Sequence, residues 1–419
     1  MSERTVAWKP RSENQIIGKD TPKVDGIEKA SGFAKYAADV NTPGTLYAKL
    51  LTCKHAHAKI AKLNVEPAEK IKGVHKVHVF RDVDTEIKHD GTLIAAVAAE
   101  TTDLAQDGVN AIEVEYEVLE HFVDDQDLEA AEKAGRARPI RATDKGNADE
   151  ALKTAKAVHE GYYGINVITH CCLEPHGSHC EFKGADTLEA HISTQAVSGT
   201  AGQFAGPLGL DQSKVTTHCE YIGGGFGSKF MVDEWGLAAA SMARETGRPV
   251  RLMLDRPTEL KTGGNRPSGF AKVTIAANEE GEVVAWKSEH WGTNGSRGGT
   301  VDVNQYPYPF DGFPNFSRKA TGIVTDAGDQ RAWRAPNHPQ LCAMTQTAMD
   351  DLAAKMGMDS LDFFMANLKF TQYDQERLPQ VYRAELLRAA ELMDWKKKWH
   401  ARGKGPKRNG KVTGLGLAL

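Results

Sequence analysis

The chain has 419 residues, 40% hydrophobic and 26% charged, a composition that predicts about two to four folded domains and excludes global disorder. With 52 Lys and Arg against 56 Asp and Glu the net charge is −4, which argues against a nucleic-acid partner. No apolar run approaches the ~18–20 residues of a membrane span, the first eight residues hold no apolar signal core, and six cysteines without a C-x-x-C pair exclude a disulfide framework and an iron–sulfur site on this chain.

In chain order, residues 1–16 read as a polar arm and 17–123 as a mixed α/β unit. Thr45–Thr52 and Val74–Phe80 alternate as strands, and Thr92–Ala99 is a buried apolar strand. A helix follows over Thr102–Ala111, led by N-cap candidates Thr101, Thr102 and Asp103, and then a strand over Ile112–Val118. Residues 124–147, dominated by Asp, Glu, Ala, Lys and Arg with Gly135 and Pro139, read as a surface linker.

A second α/β region occupies 148–395. Thr187–Thr194, Lys214–Tyr221, Val250–Leu254 and Phe270–Ala277 read as strands, and Met231–Glu245 as a helix ended by Gly247 and Pro249. Residues 291–315, rich in Gly, Asn, Pro and Tyr, form a long irregular loop of the kind that carries function. Helices follow over Met344–Met356, from an N-cap at Asp359 to Leu368, and around Leu386, Leu387, Ala390 and Met393. A basic solvated stretch, Lys396–Lys411, precedes Thr413–Leu419, which reads as the start of an apolar strand; 396–419 is thus a basic linker and the opening of an interrupted domain.

The sharpest local signal is Gly223-Gly224-Gly225-Phe226-Gly227-Ser228-Lys229. Successive glycines let backbone N–H groups turn toward an anion, and a helix N-terminus behind them would add to the attraction. The run lacks the Gly-Lys-Ser/Thr of a nucleotide phosphate loop and the glycine spacing of a dinucleotide fingerprint. The run Gln330–Pro336 sets Arg331 and Arg334 beside the Trp333 indole, a pattern that binds anions or stacks on rings. His170, Cys171, Cys172, His176, His179 and Cys180 form a dense cluster whose spacing fits no standard zinc site, so they read as packed histidines and buried thiols, with no metal ligand assigned. Asn294-Gly295-Ser296-Arg297-Gly298 misses the nucleophile elbow by its first glycine and its loop setting.

Val24–Asp39, Lys54–Ile60, Gly73–Val77, Glu174-Pro175-His176 and the glycine run together resemble the molybdopterin-binding large subunit of the xanthine dehydrogenase/aldehyde oxidase family. The resemblance implies an α/β fold: an N-terminal α/β hammerhead domain (17–123) and the first molybdopterin-binding domain (148–395), the second molybdopterin domain being missing. It implies that Gln195, in Ser193-Thr194-Gln195, approaches the molybdenum. Gly224, Gly225, Phe226 and Gly227 would pass the cofactor, and Ala332, Trp333, Arg334 and Ala335 would flank it from a second loop.

The same resemblance implies oxidative hydroxylation of an aldehyde or aromatic N-heterocycle with water as oxygen source. The cofactor would be molybdopterin, with the cytosine dinucleotide form as one option. Electrons would leave to an iron–sulfur small subunit and an FAD medium subunit. The family's general base is a Glu in the C-terminal half, so no catalytic residue is assigned here and the chain alone is expected to be inactive. The alternative is a non-catalytic fragment or assembly protein that keeps the fold. Phe230 stands where purine-oxidising members carry Glu, which places it in the substrate pocket and disfavours xanthine. The expected location is the cytoplasm, or the periplasm if a signal-bearing partner exports the complex.

Overall fold

The computed structural model describes residues 10–301, 306–310, 312–371 and 377–419; positions 1–9 of the expected arm lie outside them. Leu93–Ala99 is apolar at every position and buried at every position, as a strand covered on both faces requires. It lies inside a seven-stranded sheet ordered 215–218, 187–192, 177–183, 250–253, 46–52, 93–99 and 74–79. Leu46–Thr52 pairs antiparallel with Leu93–Ala99 and parallel with Val250–Met253. One sheet therefore runs through both of the units that the sequence separates. Its core gathers Leu46, Ala96, Cys180, Ile192, Phe204 and Trp235, with the Asp233–Thr246 helix packed against it.

A separate five-stranded sheet is ordered 137–145, 316–323, 283–293, 269–277 and 157–165. The His338–Met356 helix packs on it, around a core of Trp286, Tyr306, Phe310, Phe313, Phe363 and Phe364. Caps lie where the sequence indicates. Thr101 accepts from the Leu104 amide, Asp359 accepts from the Leu361 amide, and Gly247 ends its helix in the left-handed conformation.

Residues 124–147 are not a linker. Leu128–Lys133 is a short helix with Leu128 and Ala131 buried, and Ala137–Lys145 pairs along its length with Phe316–Ile323. It is an edge strand, and the charges and proline that suggested a linker are what edge strands carry to resist further pairing. Thr413–Leu419 forms no strand. Leu415, Leu417 and Leu419 pack on the aromatic core, and the Gln346 side chain bonds the N–H and C=O of Leu419 at 2.7 Å each. The sequence also gave no sign of the Val197–Leu208 helix, whose three glycines and Pro207 disfavour helix; burial of Phe204 and Leu208 holds it.

The strands 177–183, 187–192 and 215–218 bring His179, His191 and His218 into register, with the His191 and His218 rings stacked at 4.6 Å. His179 is 1% exposed, and Thr42 and Thr45 hydroxyls meet its Nε2 at 3.2 Å. Burial, reinforced by His191, pushes His179 from its ordinary 6.5 down to about 4. Between those values the unfolded chain binds the extra proton, so stability rises with pH across the window and is lost as pH falls through it. This group should contribute roughly 3 kcal/mol of that loss. Urea midpoints should drop between pH 6.5 and 4, and His179→Gln should flatten the slope; an unchanged slope in the variant would refute the assignment.

Candidate functional site

Three strands deliver the site segments to one end of the seven-stranded sheet. Glu174-Pro175-His176 precedes Gly177–Lys183, Ser193-Thr194-Gln195 follows Thr187–Ile192, and the glycine run follows Val215–His218. Lys229 ties them together. Its side chain is fully buried, and Nζ donates to the Glu174 carbonyl and the Ser193 hydroxyl at 2.6 Å each, 3.6 Å from Glu174 Oε2. Burial lowers its pKa, and the Glu174 charge opposes that shift. Glu174 Oε2 in turn accepts the Gly223 amide at 2.7 Å. The Lys229 carbonyl accepts from the Gln195 amide and the Thr194 hydroxyl, each at 3.0 Å.

His176 braces the same turn from below. Its Nε2 donates to the Ser228 carbonyl at 3.1 Å, and its Nδ1 lies 2.9 Å from Glu259 Oε1. Burial alone would raise the Glu259 carboxyl, yet the His176 hydrogen bonds and charge bring it below the usual carboxylate range. Glu259 carries no local sequence signal, because only the fold brings it to His176.

The second loop lies directly on the first. The Arg334 amide donates to the Phe226 carbonyl at 2.6 Å, and a Cβ on Gly227 would land on the Ala332 carbonyl. Gly227 has φ +114° and Phe226 has φ +53°, so the chain is held in left-handed conformations where the loops meet. Gln195 Oε1 accepts the Gly227 amide at 2.8 Å. Gln195, the run Gly224–Gly227 and the loop Ala332–Ala335 thus lie side by side at one end of the sheet.

The two arginines of the second loop divide. Arg331 pairs with Asp233 and donates to the Ser228 carbonyl at 3.0 Å. Arg334 is exposed, and its guanidinium has no partner among the described residues. The cation over Trp333 is Arg266, at 4.8 Å from the ring centre, and His170 stacks on the same indole at 4.2 Å. No local pattern in the sequence marks Arg266.

An anion would not meet the helix N-terminus. The Asp233–Thr246 helix starts with Asp233 and Glu234 and lies four residues beyond Lys229. The donors are the loop amides themselves. Gly224, Gly225 and Phe226 in the first loop, and Ala332, Trp333 and Ala335 in the second, have N–H groups without an acceptor among the described residues. With the Arg334 cation and the Gln195 amide nitrogen, this donor set fits a group that presents several anionic oxygens, such as a metal-oxo centre on a phosphorylated pterin.

Phe230, 44% exposed, lines a cavity of about 640 Å³ between the glycine run, residues 328–332 and the 89–93 turn of the N-terminal unit. The cations on its wall are paired: Arg81 with Glu234, Lys261 with Asp90, Arg297 with Asp329 and Arg331 with Asp233. The His/Cys cluster disperses. His170 bonds the Ala332 carbonyl, His176 bonds Glu259 and His179 bonds Thr42 and Thr45. No helix among the described residues is long and apolar enough to cross a membrane.

Comparison with known proteins bears on this geometry. Residues 131–368 match the molybdopterin cofactor-binding domain, and residues 31–86 match the aldehyde oxidase and xanthine dehydrogenase a/b hammerhead domain. The nicotinate dehydrogenase large molybdopterin subunit of Eubacterium barkeri is 29% identical over 84% of this chain and 89% of its own length. The aldehyde oxidoreductase molybdenum-binding subunit of Escherichia coli K12 is 28% identical over 86% of this chain, but only 52% of its own length. Quinoline 2-oxidoreductase from Pseudomonas putida 86 shares the fold with a TM-score of 0.77 at 20% identity, covering 91% of this chain and 54% of that one. The chain therefore spans nearly all of one relative and about half of others. The cofactor-binding model extends over more than half of the chain and the hammerhead model lies at its N-terminal side, so the chain belongs to the molybdopterin-binding family of xanthine dehydrogenases and aldehyde oxidases.

Proposed function

We propose that the chain is the cofactor-binding large subunit of a molybdenum hydroxylase that oxidises an aldehyde or aromatic N-heterocycle. The observation that carries this reading is the pair of loops with six amides that, among the described residues, lack an acceptor, beside an Arg334 that has no partner among them. When bound, the molybdenum pterin supplies two-electron oxidation and oxygen transfer from water. The amides of 224–226, 332, 333 and 335 would hold the group's anionic oxygens, with Gln195 as a further donor and Arg334 as the cation. Phe230 gives the cavity an apolar wall that favours a flat, uncharged substrate.

The general base comes from a partner. Three carboxylates beside the loops already have partners: Glu174 through Oε2 with Gly223 and Lys229, its Oε1 having none among the described residues, Glu259 with His176, and Asp233 with Arg331. An iron–sulfur subunit, an FAD subunit and a second molybdopterin domain complete the enzyme on this reading, with a cytosine dinucleotide form of the pterin and a cytoplasmic complex as its further expectations. The complex purified from its own host should contain about one molybdenum and one pterin per chain, with iron and flavin in co-purifying chains. A complex without molybdenum overturns the enzyme reading in favour of a binding or assembly protein. Hydroxylase turnover by the isolated chain would refute the assignment of the base to a partner.

Gly227→Ala adds a methyl on the Ala332 carbonyl at positive φ, a strain of about 1–2 kcal/mol before any clash. It should lower molybdenum content at least ~10-fold in a chain that still folds. Gly206→Ala, at an exposed helical site with nothing within 4 Å, should retain wild-type content. Arg334→Ala should likewise lose molybdenum with its melting temperature intact, whereas Arg331→Ala should lower the melting temperature. Equal effects of the two arginine variants on both readouts would contradict the division of their roles.

A further inference from the structure

The two-stranded ribbon formed by Ile168–Thr169 and Asn265–Arg266 ends beside the second loop. His170 follows its first strand and Arg266 closes its second; they are 7% and 4% exposed. Both lie over the Trp333 indole, and both bond carbonyl oxygens of the same loop. His170 Nε2 donates to Ala332 at 2.8 Å, while Arg266 donates to Arg334 at 2.7 Å and Ala335 at 3.1 Å. His170 Nδ1 also lies 3.3 Å from the Gly264 carbonyl; burial lowers the His170 pKa against both of these carbonyl contacts, and the shorter contact, to Ala332, marks Nε2 as the donor.

The direction of these bonds has a geometric consequence. In a trans peptide the carbonyl of one residue and the N–H of the next point in opposite directions. The peptides from Ala332 to Trp333 and from Arg334 to Ala335 are trans. Drawing the Ala332 carbonyl toward His170 therefore turns the Trp333 amide away from the ribbon. Drawing the Arg334 carbonyl toward Arg266 does the same for the Ala335 amide. The third gripped carbonyl, that of Ala335, precedes Pro336, which has no N–H to aim. The Trp333 and Ala335 amides, left without an acceptor among the described residues, are those that the grip orients.

We propose that His170 and Arg266 are positioning residues that aim the Trp333 and Ala335 amides at the anionic group of the site. They act through the loop backbone, with the Trp333 indole as the handle that keeps the loop seated. The proposal rests on the cofactor reading for the identity of the anion, while the grip itself is independent of it.

Hydrogen exchange of the complex with its partner chains tests it. The protected amides of the 330–337 peptide include Arg331, bonded to Asn265, and Arg334, bonded to Phe226. His170→Ala and Arg266→Met should speed their exchange about tenfold, the cost of one or two hydrogen bonds made by buried groups. The 223–229 peptide should follow, and the 93–99 strand should not change. His170→Gln, which can still donate to the Ala332 carbonyl, should restore most of the protection, and Arg266→Lys part of it. Molybdenum per chain should fall with the loss of protection and recover with its rescue. Unchanged exchange in His170→Ala and Arg266→Met, a rise spread equally over the 93–99 strand, or a His170→Gln no better than His170→Ala would each overturn the proposal. Selective exchange changes in a complex that lacks molybdenum even as wild type would uphold the grip and remove the cofactor reading instead.

Discussion

One ammonium group shut away from water holds the site in shape. Lys229 Nζ bonds the Glu174 carbonyl and the Ser193 hydroxyl, with the Glu174 carboxylate close by. An isolated charge in that position would cost several kcal/mol, and its partners come from two segments that lie 55 and 36 residues before it in sequence. Those partners can be satisfied only if the Glu-Pro-His segment, the Ser-Thr-Gln segment and the glycine run meet at one place. Because the cost of leaving either charge unpaired is high, the buried pair specifies an arrangement as much as it stabilises one.

The loops built on that anchor are narrow in their tolerance. Gly227 admits the Ala332 carbonyl because it has no Cβ, and the Phe226 carbonyl fixes the Arg334 amide. Among the described residues these two loops keep several N–H groups without an acceptor, and Arg334 is exposed and unpaired while Arg331 is withdrawn into an ion pair with Asp233. The side chains are used mostly to orient backbone, and the backbone presents the donors. On the proposed reading, such a site would bind through fixed dipoles that need little reorganisation when an anion arrives.

Much of the fold was legible because its signals are local. The unbroken apolar run 93–99, the caps at Thr101 and Asp359 and the left-handed Gly247 each need only a few neighbouring residues to be recognised. The 137–145 strand was not, since an edge strand is patterned to look like a solvated segment. The Val197–Leu208 helix was not, since its stability comes from the residues it packs on. The sharing of one sheet between the two units is a pairing of Leu46–Thr52 with Val250–Met253, about two hundred residues apart, and no local pattern announces it.

The same division applies to the site. The amino-acid order alone singled out the glycine run and the Gln330–Pro336 loop, because residues without Cβ and a cation beside an indole are visible wherever the chain goes, while Gln195 entered only through the family resemblance. Residue type did not separate Arg331 from Arg334, which only the family resemblance chose between, and it did not select Glu259 and Arg266 from the other polar residues. Those roles are set by which carbonyl or carboxylate lies within three ångströms after folding. A hydrogen bond depends on distance and direction in space, and distance in space is decided by the pairing of strands far apart in the sequence.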